Sequence, residues 1–417
     1  MKKKLVIITP IILIVVFSSF LLINNNNKNE VVMNEKNAPT NNNFLSIMLE
    51  TEAGSGEYQE STFNGWPGEG YIFNEQMSTC ENGSELSWDE ELGAVTLSTG
   101  IADKCYVYFD VYAPTFAEYI INNVYVEDGV NDLYLHDGVG TYTNADQEAG
   151  DNSYRYAGAN PNNYVCFGSE ESTCSEDNLY RIIGVFDDEV KLIKADYPTI
   201  NQTGTEGSYF NIYSISWTTS NFYKGNVDLS QIATYYWYDY RREVSNSWGE
   251  SQLNTMHLNQ NYLNNFGNTW SSLIANHTWK VGGMNANDLY TVKQYYDIEI
   301  GANSNNTTIN EKIGLMYVSD YGYAASPTNW TTAMSSYSNA ISSNWINMGL
   351  NEWTISMRLN SSDTAFSLFD SGGIYYGFLK YSALNSDFAI RPCFYLTSDT
   401  RYDSGSGTKS DPFRIVV

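Results

Sequence analysis

Two apolar segments near the carboxyl end place the tightest constraint on how this chain folds. Residues 352–356 and 388–396 are rich in β-branched and aromatic side chains, and a Gly/Ser turn at 404–408 leads to another short segment at 411–415. Such runs between turn residues predict β-strands. The residues between the first two strands are mainly Asn, Ser, Asp, Tyr and Phe. Strands that flank a polar, aromatic region predict a rigid scaffold with a binding surface.

The amino terminus predicts a membrane segment. Three lysines at positions 2–4 precede an apolar run at residues 5–23, and a helix of this length just spans the ~30 Å hydrocarbon core of a bilayer. Because the lysines favour the cytoplasmic side, the rest of the chain is expected outside the cell. A cleaved signal peptide, which would make the protein secreted, is the alternative. We favour a single-pass signal anchor over residues 1–23, because no small-x-small cleavage site follows Ile23.

The charge of the chain restricts its partners. The formal net charge is −26 at pH 7. Such a surface repels a phosphate backbone, so nucleic acid is not an expected partner. Residues 24–45 are rich in Asn and poor in apolar side chains, which predicts a disordered tether between the membrane and the folded part.

Five cysteines in an exported chain predict disulfide bonds. Cys80 and Cys105 flank one small group of strands, and Cys166 and Cys174 are close enough in sequence to close a surface loop. These four residues are the disulfide candidates. Cys393 lies within an apolar strand and is expected to be a buried, inert thiol.

The remaining pattern predicts two folded domains. Residues 46–113 contain short strands between turns, which predicts a small β-sandwich-like module. Residues 114–417 combine helical periodicity at 115–124 and 251–274 with a β-hairpin at 179–194. The expected fold class is α+β: one N-terminal transmembrane helix, the small β-module, and a mixed α/β domain with long loops.

The sequence contains no recognisable catalytic constellation. His136, His257 and His277 are scattered without metal-ligand spacing, and the chain has no GxSxG, P-loop or GxGxxG motif. The Asp- and Asn-rich turns at 127–163 offer calcium ligands, but no run has the EF-hand spacing, so no cofactor is expected. We expect a protein that is not an enzyme, although the many carboxylates leave a catalytic pair open as an alternative.

The two carboxyl-terminal strands carry a family resemblance. The sequences Trp353-Thr354-Ile355-Ser356, Ile390-Arg391-Pro392 and Asp411-Pro412-Phe413 resemble the carboxyl-terminal half of bacterial C-type lectin-like domains. Diversity-generating retroelement variable proteins and formylglycine-generating enzymes share that fold. The resemblance covers residues 115–417 and implies a C-type lectin-like domain with its ligand-facing loops on one side. It implies a ligand-binding set at Asn360, Ser361, Asp363, Ser367, Asp370, Tyr375, Tyr376, Ser382 and Asn385.

The chain departs from this family in two respects. It lacks the Glu-Pro-Asn and Trp-Asn-Asp motifs of calcium-dependent sugar binding, which argues against a calcium-dependent lectin. The single Cys393 does not reproduce the cysteine pair of formylglycine-generating enzymes.

Together these patterns predict a membrane-anchored bacterial cell-surface protein that binds or adheres to an extracellular protein or carbohydrate. The 34 Tyr and 10 Trp residues, many among short polar side chains, favour this reading, because that combination is typical of adaptable binding surfaces. Two alternatives stay open. One is an extracytoplasmic enzyme on the same scaffold, and the other is a structural cell-surface protein without a discrete ligand.

Overall fold

The computed structural model of the protein describes most of the chain beyond residue 44. The described residues are 31–32, 45–62, 65–68, 70–98, 103–139, 145–205, 210–212, 223–237, 245–285, 289–361, 364–375 and 387–417. They belong to two compact units, Met1–Ala113 and Pro114–Val417. The predicted segment 1–23 lies outside the described residues.

Strands are the regular elements in the described part of the first unit. These are β1 (Val31–Val32), β2 (Leu45–Glu50), β3 (Tyr58–Glu60), β4 (Tyr71–Cys80), β5 (Leu86–Asp89), β6 (Ala94–Leu97) and β7 (Cys105–Val111). They form one sheet with the order β3-β2-β7-β4 and a second with the order β1-β6-β5. Within the first sheet β2 and β7 are parallel, and the other neighbours are antiparallel.

The two sheets of this unit share one hydrophobic core. Alternate residues of β7 face inward, so Cys105, Val107 and Phe109 are buried, together with Val95 and Leu97 of β6. Cys80 and Cys105 lie opposite each other on β4 and β7 and are joined by a disulfide. The second predicted disulfide, between Cys166 and Cys174 in the other unit, is also present. Both disulfide predictions are therefore confirmed.

The second unit contains seventeen described strands. They are β8 (Leu133–Leu135), β9 (Tyr154–Tyr156), β10 (Tyr164–Cys166), β11 (Leu179–Phe186), β12 (Glu189–Lys194), β13 (Phe210–Ile212), β14 (Ala233–Tyr236), β15 (His277–Lys280), β16 (Thr308–Glu311), β17 (Ile313–Leu315), β18 (Glu352–Met357), β19 (Ala365–Leu368), β20 (Ile374–Tyr375), β21 (Asp387–Phe388), β22 (Pro392–Tyr395), β23 (Tyr402–Ser404) and β24 (Arg414–Ile415).

Helices in the described part of this unit are short. The α-helices are α1 (Phe116–Tyr119), α2 (Ile200–Thr203), α3 (Gly267–Ser272), α4 (Val292–Glu299) and α5 (Val318–Tyr323). Two π-helical segments are Ile120–Val124 and Leu253–Tyr262. The 3-10 segments are Val130–Asp132, Ala145–Gln147, Glu176–Asn178, Leu229–Gln231, Trp248–Glu250, Pro327–Asn329 and Met334–Ser343.

The predicted α+β fold class is wrong for the described part of the chain, whereas the transmembrane helix that it included lies outside the described residues. Strand residues (34%) outnumber helical residues (23%). No helix among the described residues is both long enough and apolar enough for a bilayer crossing. Part of the reason for the low helix content lies at 251–274, where the sequence predicts one helix. Gly267 has a φ of +67°, a left-handed conformation that interrupts an α-helix. Two short segments therefore replace one long helix.

A seven-stranded antiparallel sheet organises the second unit. Its order is β17-β22-β12-β11-β9-β8, with β10 also paired to β11. The predicted hairpin is confirmed. β11 and β12 pair antiparallel from Phe186 opposite Glu189, next to the turn, to Tyr180 opposite Lys194, and Asp187 in the turn has a φ of +54°. β22 lies between β12 and β17, which buries Cys393 completely. Strand β22 is therefore part of the centre of the core.

A buried ion pair connects the two strands that flank the carboxyl-terminal polar region. Arg391, directly before β22, donates from Nε to both carboxylate oxygens of Glu352 at 3.0 and 3.1 Å. Its Nη2 donates to Glu352 Oε2 at 2.9 Å and to the carbonyl of Ile346 at 2.6 Å. Tyr197 also donates its hydroxyl to Glu352 at 3.2 Å. Both charged side chains are buried, so each one compensates the desolvation cost of the other.

Removing the Cys80–Cys105 disulfide is expected to destabilise the first unit. Replacement of both cysteines by alanine should lower its free energy of unfolding by roughly 2–4 kcal/mol, because the unfolded chain gains conformational freedom. Hydrogen exchange of the intact protein, read at β2 and β7, measures the loss. The control is the Cys166→Ala/Cys174→Ala variant, which should leave exchange in these strands unchanged. Unchanged protection after loss of Cys80 and Cys105 would contradict the expectation.

The buried ion pair gives a second stability prediction. Glu352→Gln should lower the free energy of unfolding of the second unit by roughly 3–5 kcal/mol, because it leaves the Arg391 charge buried without a counter-charge. Urea unfolding monitored by tryptophan fluorescence measures the change. The double variant Glu352→Leu/Arg391→Met should lose less stability than Glu352→Gln, since it buries no charge. If Glu352→Gln is as stable as the wild type, the pair does not have this role.

Candidate functional site

Four of the nine predicted ligand-binding side chains fall within the described part of the structure: Asn360, Ser361, Ser367 and Asp370. The backbone of Tyr375 belongs to β20, but its side chain lies outside the described residues. Asp363, Tyr376, Ser382 and Asn385 lie outside them entirely. For these five side chains, ligand contact stays a prediction.

The structure does not bring the four described side chains to one surface. Asn360 is exposed in the turn between β18 and β19, with a φ of +63°, and Ser361 follows it. Asp370 lies beyond the opposite end of β19, where its N–H donates to Asn351 Oδ1 at 2.9 Å. Ser367 is buried within β19, only 4% exposed. Asn360 and Ser361 are the two that lie side by side.

A polar cavity elsewhere in the second unit brings together residues that the sequence analysis did not select. Its volume is about 190 Å³. Its walls come from 159–160 and Tyr164, from Glu176 and Arg181, from 195–196, from 224–226, from 344–345 and Met348, and from Lys409. Six separate parts of the chain therefore converge on one site, which we call the Arg181 cavity.

Arg181 is the central residue of this cavity. It lies on β11 and is 6% exposed. Its guanidinium group lies between two aromatic rings, 4.4 Å from the ring centre of Tyr164 and 4.5 Å from that of Trp345. Nε donates to Asn163 Oδ1 at 2.7 Å, and Nη2 donates to the carbonyl of Pro161 at 3.0 Å. A guanidinium has five N–H donors, and no described acceptor is bonded to Nη1.

The other buried arginines have a carboxylate partner. Arg155 pairs with Asp151 at 2.6 Å, and Arg391 pairs with Glu352 at 2.9 Å. Among the described residues, Arg181 has no carboxylate within ion-pair distance. Buried charges are normally paired, because desolvation without a counter-charge is costly. The unpaired guanidinium therefore gives the cavity a positive charge that an anionic group would complement.

The two carboxylates in the cavity wall are engaged by other groups. Asp196 accepts from the Tyr223 hydroxyl at 2.7 Å and from the N–H groups of Asn226 and Val227 at 2.6 and 3.1 Å. Glu176 pairs with Lys409 at 2.8 Å. These carboxylates shape the wall of the cavity and leave Arg181 without a negative partner.

Burial changes the proton affinity of the cations in the cavity. Burial lowers the pKa of Arg181 to about 10. Tyr164 opposes this shift, and the nearby positive charge of Arg391 lowers the pKa by a smaller amount. Burial and, after it, the charge of Arg391 also lower the pKa of Lys224. Arg181 remains protonated at neutral pH because its pKa is still well above 7. A cationic cavity thus exists in a protein with a formal net charge of −26.

The geometry suits a planar anion. A guanidinium is a rigid, planar fork that binds a carboxylate through two parallel hydrogen bonds. Tyr164 and Trp345 pack against the guanidinium. Nε and Nη2 are bonded to Asn163 and Pro161, which leaves Nη1 without a described acceptor. The sequence contains one signal for this site: Arg181 is the sole charged residue of the run Leu179–Phe186. An arginine within an otherwise uncharged strand needs a partner when it is buried.

The three histidines lie in different surroundings. His136 packs against Tyr323 and Trp330, and His257 packs against Tyr235. Both are fully buried. His277 stacks on Tyr395 and pairs with Glu189 at 2.6 Å. Each histidine therefore contributes to local packing.

Comparison of the chain with family models, curated proteins and solved structures found no match. The resemblance to C-type lectin-like domains stays a prediction from short motifs.

The buried His136 predicts a pH dependence of stability. Burial, with repulsion from Arg155, lowers the pKa of His136 well below 6.5, and its Nδ1 accepts a hydrogen bond from the Ala149 N–H. Below about pH 6.5 the unfolded chain binds a proton that the folded chain does not, so the free energy of unfolding falls by about 1.4 kcal/mol per pH unit. His136→Asn should remove this component of the slope in urea unfolding between pH 6.5 and 5. Identical slopes for wild type and variant would contradict the assignment.

Proposed function

We propose that the protein is an exported binding protein whose second unit holds a carboxylate of its ligand in the Arg181 cavity. The observation that carries the proposal is the buried guanidinium of Arg181, stacked between two rings and without a described carboxylate partner. The two disulfides support a location outside the cytoplasm, because such bonds persist in oxidising compartments.

A carboxylate explains the features of the cavity better than a neutral group does. A bidentate pair with Arg181 would use its remaining N–H donors and supply the counter-charge that burial requires. The cavity is smaller than the ~300–1,000 Å³ of typical small-molecule pockets. It therefore accommodates one functional group of a larger ligand, whose remainder lies over the surrounding surface.

The carboxylate has two natural sources, an acidic peptide and an acidic sugar. Asn160 and Asn226 border the cavity, and side-chain amides hydrogen-bond with either kind of ligand. The shared chemistry is therefore the carboxylate, and the experiment separates the sources.

Arg181→Gln tests the proposal in the intact protein. N-acetylglutamate and glucuronate are titrated separately, with glucose as the neutral control, and binding is followed through tryptophan fluorescence. The wild type should bind at least one of the two carboxylates and not glucose, and the ligand that binds identifies the source. Arg181→Gln should weaken binding roughly tenfold or more, because a charge-assisted hydrogen bond contributes about 1.5–3 kcal/mol.

Two further variants make this test specific. Arg401→Gln changes the same charge at an exposed arginine and should leave binding unchanged. Arg181→Lys keeps the charge but loses the planar fork, so it should bind more weakly than the wild type. A folded wild type that binds neither carboxylate would overturn the proposal. Equal affinities of wild type and Arg181→Gln would do the same.

A further inference from the structure

The first unit contains an open groove between its two sheets. Its volume is about 560 Å³. β4 and β5 form its sides, and each is the last strand of its sheet among the described residues. Tyr71, Phe73 and Glu75 lie on one face of β4, because alternate residues of a strand point the same way. We call this site the β4–β5 groove.

Aromatic rings line the interior of the groove. Trp88 of β5 packs edge-on against Phe109 at 5.7 Å between ring centres, and Phe73 of β4 lies nearly parallel to Trp88 at 6.4 Å. Tyr71, Phe73 and Trp88 are only half-buried, so part of each ring is accessible to a ligand. Accessible aromatic faces attract cations through their quadrupole.

Two carboxylates complete the groove. Glu75 and Glu90 line it and are exposed. Neither forms a hydrogen bond or an ion pair with a described residue. Aromatic faces next to unpaired carboxylates are complementary to an organic cation, which gains both a cation–π contact and a counter-charge.

The charge of the surrounding chain decides which ligand fits. Residues 45–113 contain thirteen acidic side chains and one basic side chain, Lys104, which pairs with Glu81 at 3.2 Å. This excess of twelve acidic groups repels anions and favours cationic partners over neutral ones. A second copy of this chain, itself strongly acidic, is disfavoured by the same repulsion.

We infer that the β4–β5 groove binds a basic peptide segment of a partner protein. A lysine or arginine side chain of that segment would lie on the rings of Phe73 and Trp88, with Glu75 and Glu90 as its counter-charges. The edge positions of β4 and β5 favour an extended peptide, because edge strands have backbone groups that can pair with an added chain. The inference is independent of the Arg181 cavity, which lies in the other unit.

The test is binding of a capped peptide, acetyl-Ala-Arg-Ala-Lys-Ala-amide, to the intact protein by isothermal titration calorimetry. The caps remove both terminal charges, so the peptide has no carboxylate for the Arg181 cavity. A capped peptide with Gln in place of Arg and Lys, and a neutral glucose oligomer, are the comparison ligands. The basic peptide should bind, and the two comparison ligands should not.

Paired variants locate the binding. Glu75→Gln/Glu90→Gln should weaken binding of the basic peptide roughly fivefold, the loss expected for two exposed ion pairs. Glu52→Gln/Glu57→Gln removes the same charge at exposed positions outside the groove and should change affinity less than twofold. Arg181→Gln should have no effect. Equal weakening by the two double variants, preference for the neutral oligomer, or no binding of the basic peptide would each overturn the inference.

Discussion

The second unit depends on the buried ion pair between Glu352 and Arg391. It fixes the start of β18 to the chain before β22, and through the Ile346 carbonyl it also fixes the segment that contains Trp345. Trp345 covers one face of the Arg181 guanidinium. The charge of Arg391 also contributes to the lowered pKa of Arg181 and Lys224, so it opposes their protonation. Glu352 balances that charge, and the ion pair supports the shape of the cavity.

Features with a local cause were predictable from the sequence. The alternation of Cys105, Val107 and Phe109 specified which face of β7 is buried. The acidic turn at Asp187 and Asp188 between two β-branched runs specified the hairpin. The Cys166–Cys174 disulfide followed from the short spacing of the pair, and the Cys80–Cys105 disulfide from the position of the two cysteines on either side of one small group of strands. In each case the deciding interactions join residues that are near in sequence or that alternate along one strand.

Features that depend on distant residues were not predictable. The Arg181 cavity draws Tyr164, Arg181, Lys224 and Trp345 from four separate segments. A single charged residue within an apolar strand was the one trace of it in the sequence. Sequence proximity instead drew attention to 360–385, where Ser367 is buried.

We propose that the guanidinium of Arg181 binds a carboxylate of a ligand. The most direct measurement of this contact is NMR of the intact protein with isotope-labelled arginine, titrated with glucuronate or N-acetylglutamate. The resonance that disappears in Arg181→Lys identifies this side chain. We expect a saturable shift of the Arg181 side-chain resonances with at least one of the two ligands, and little change at exposed arginines such as Arg401. Arg181 resonances that stay constant with both ligands would contradict it.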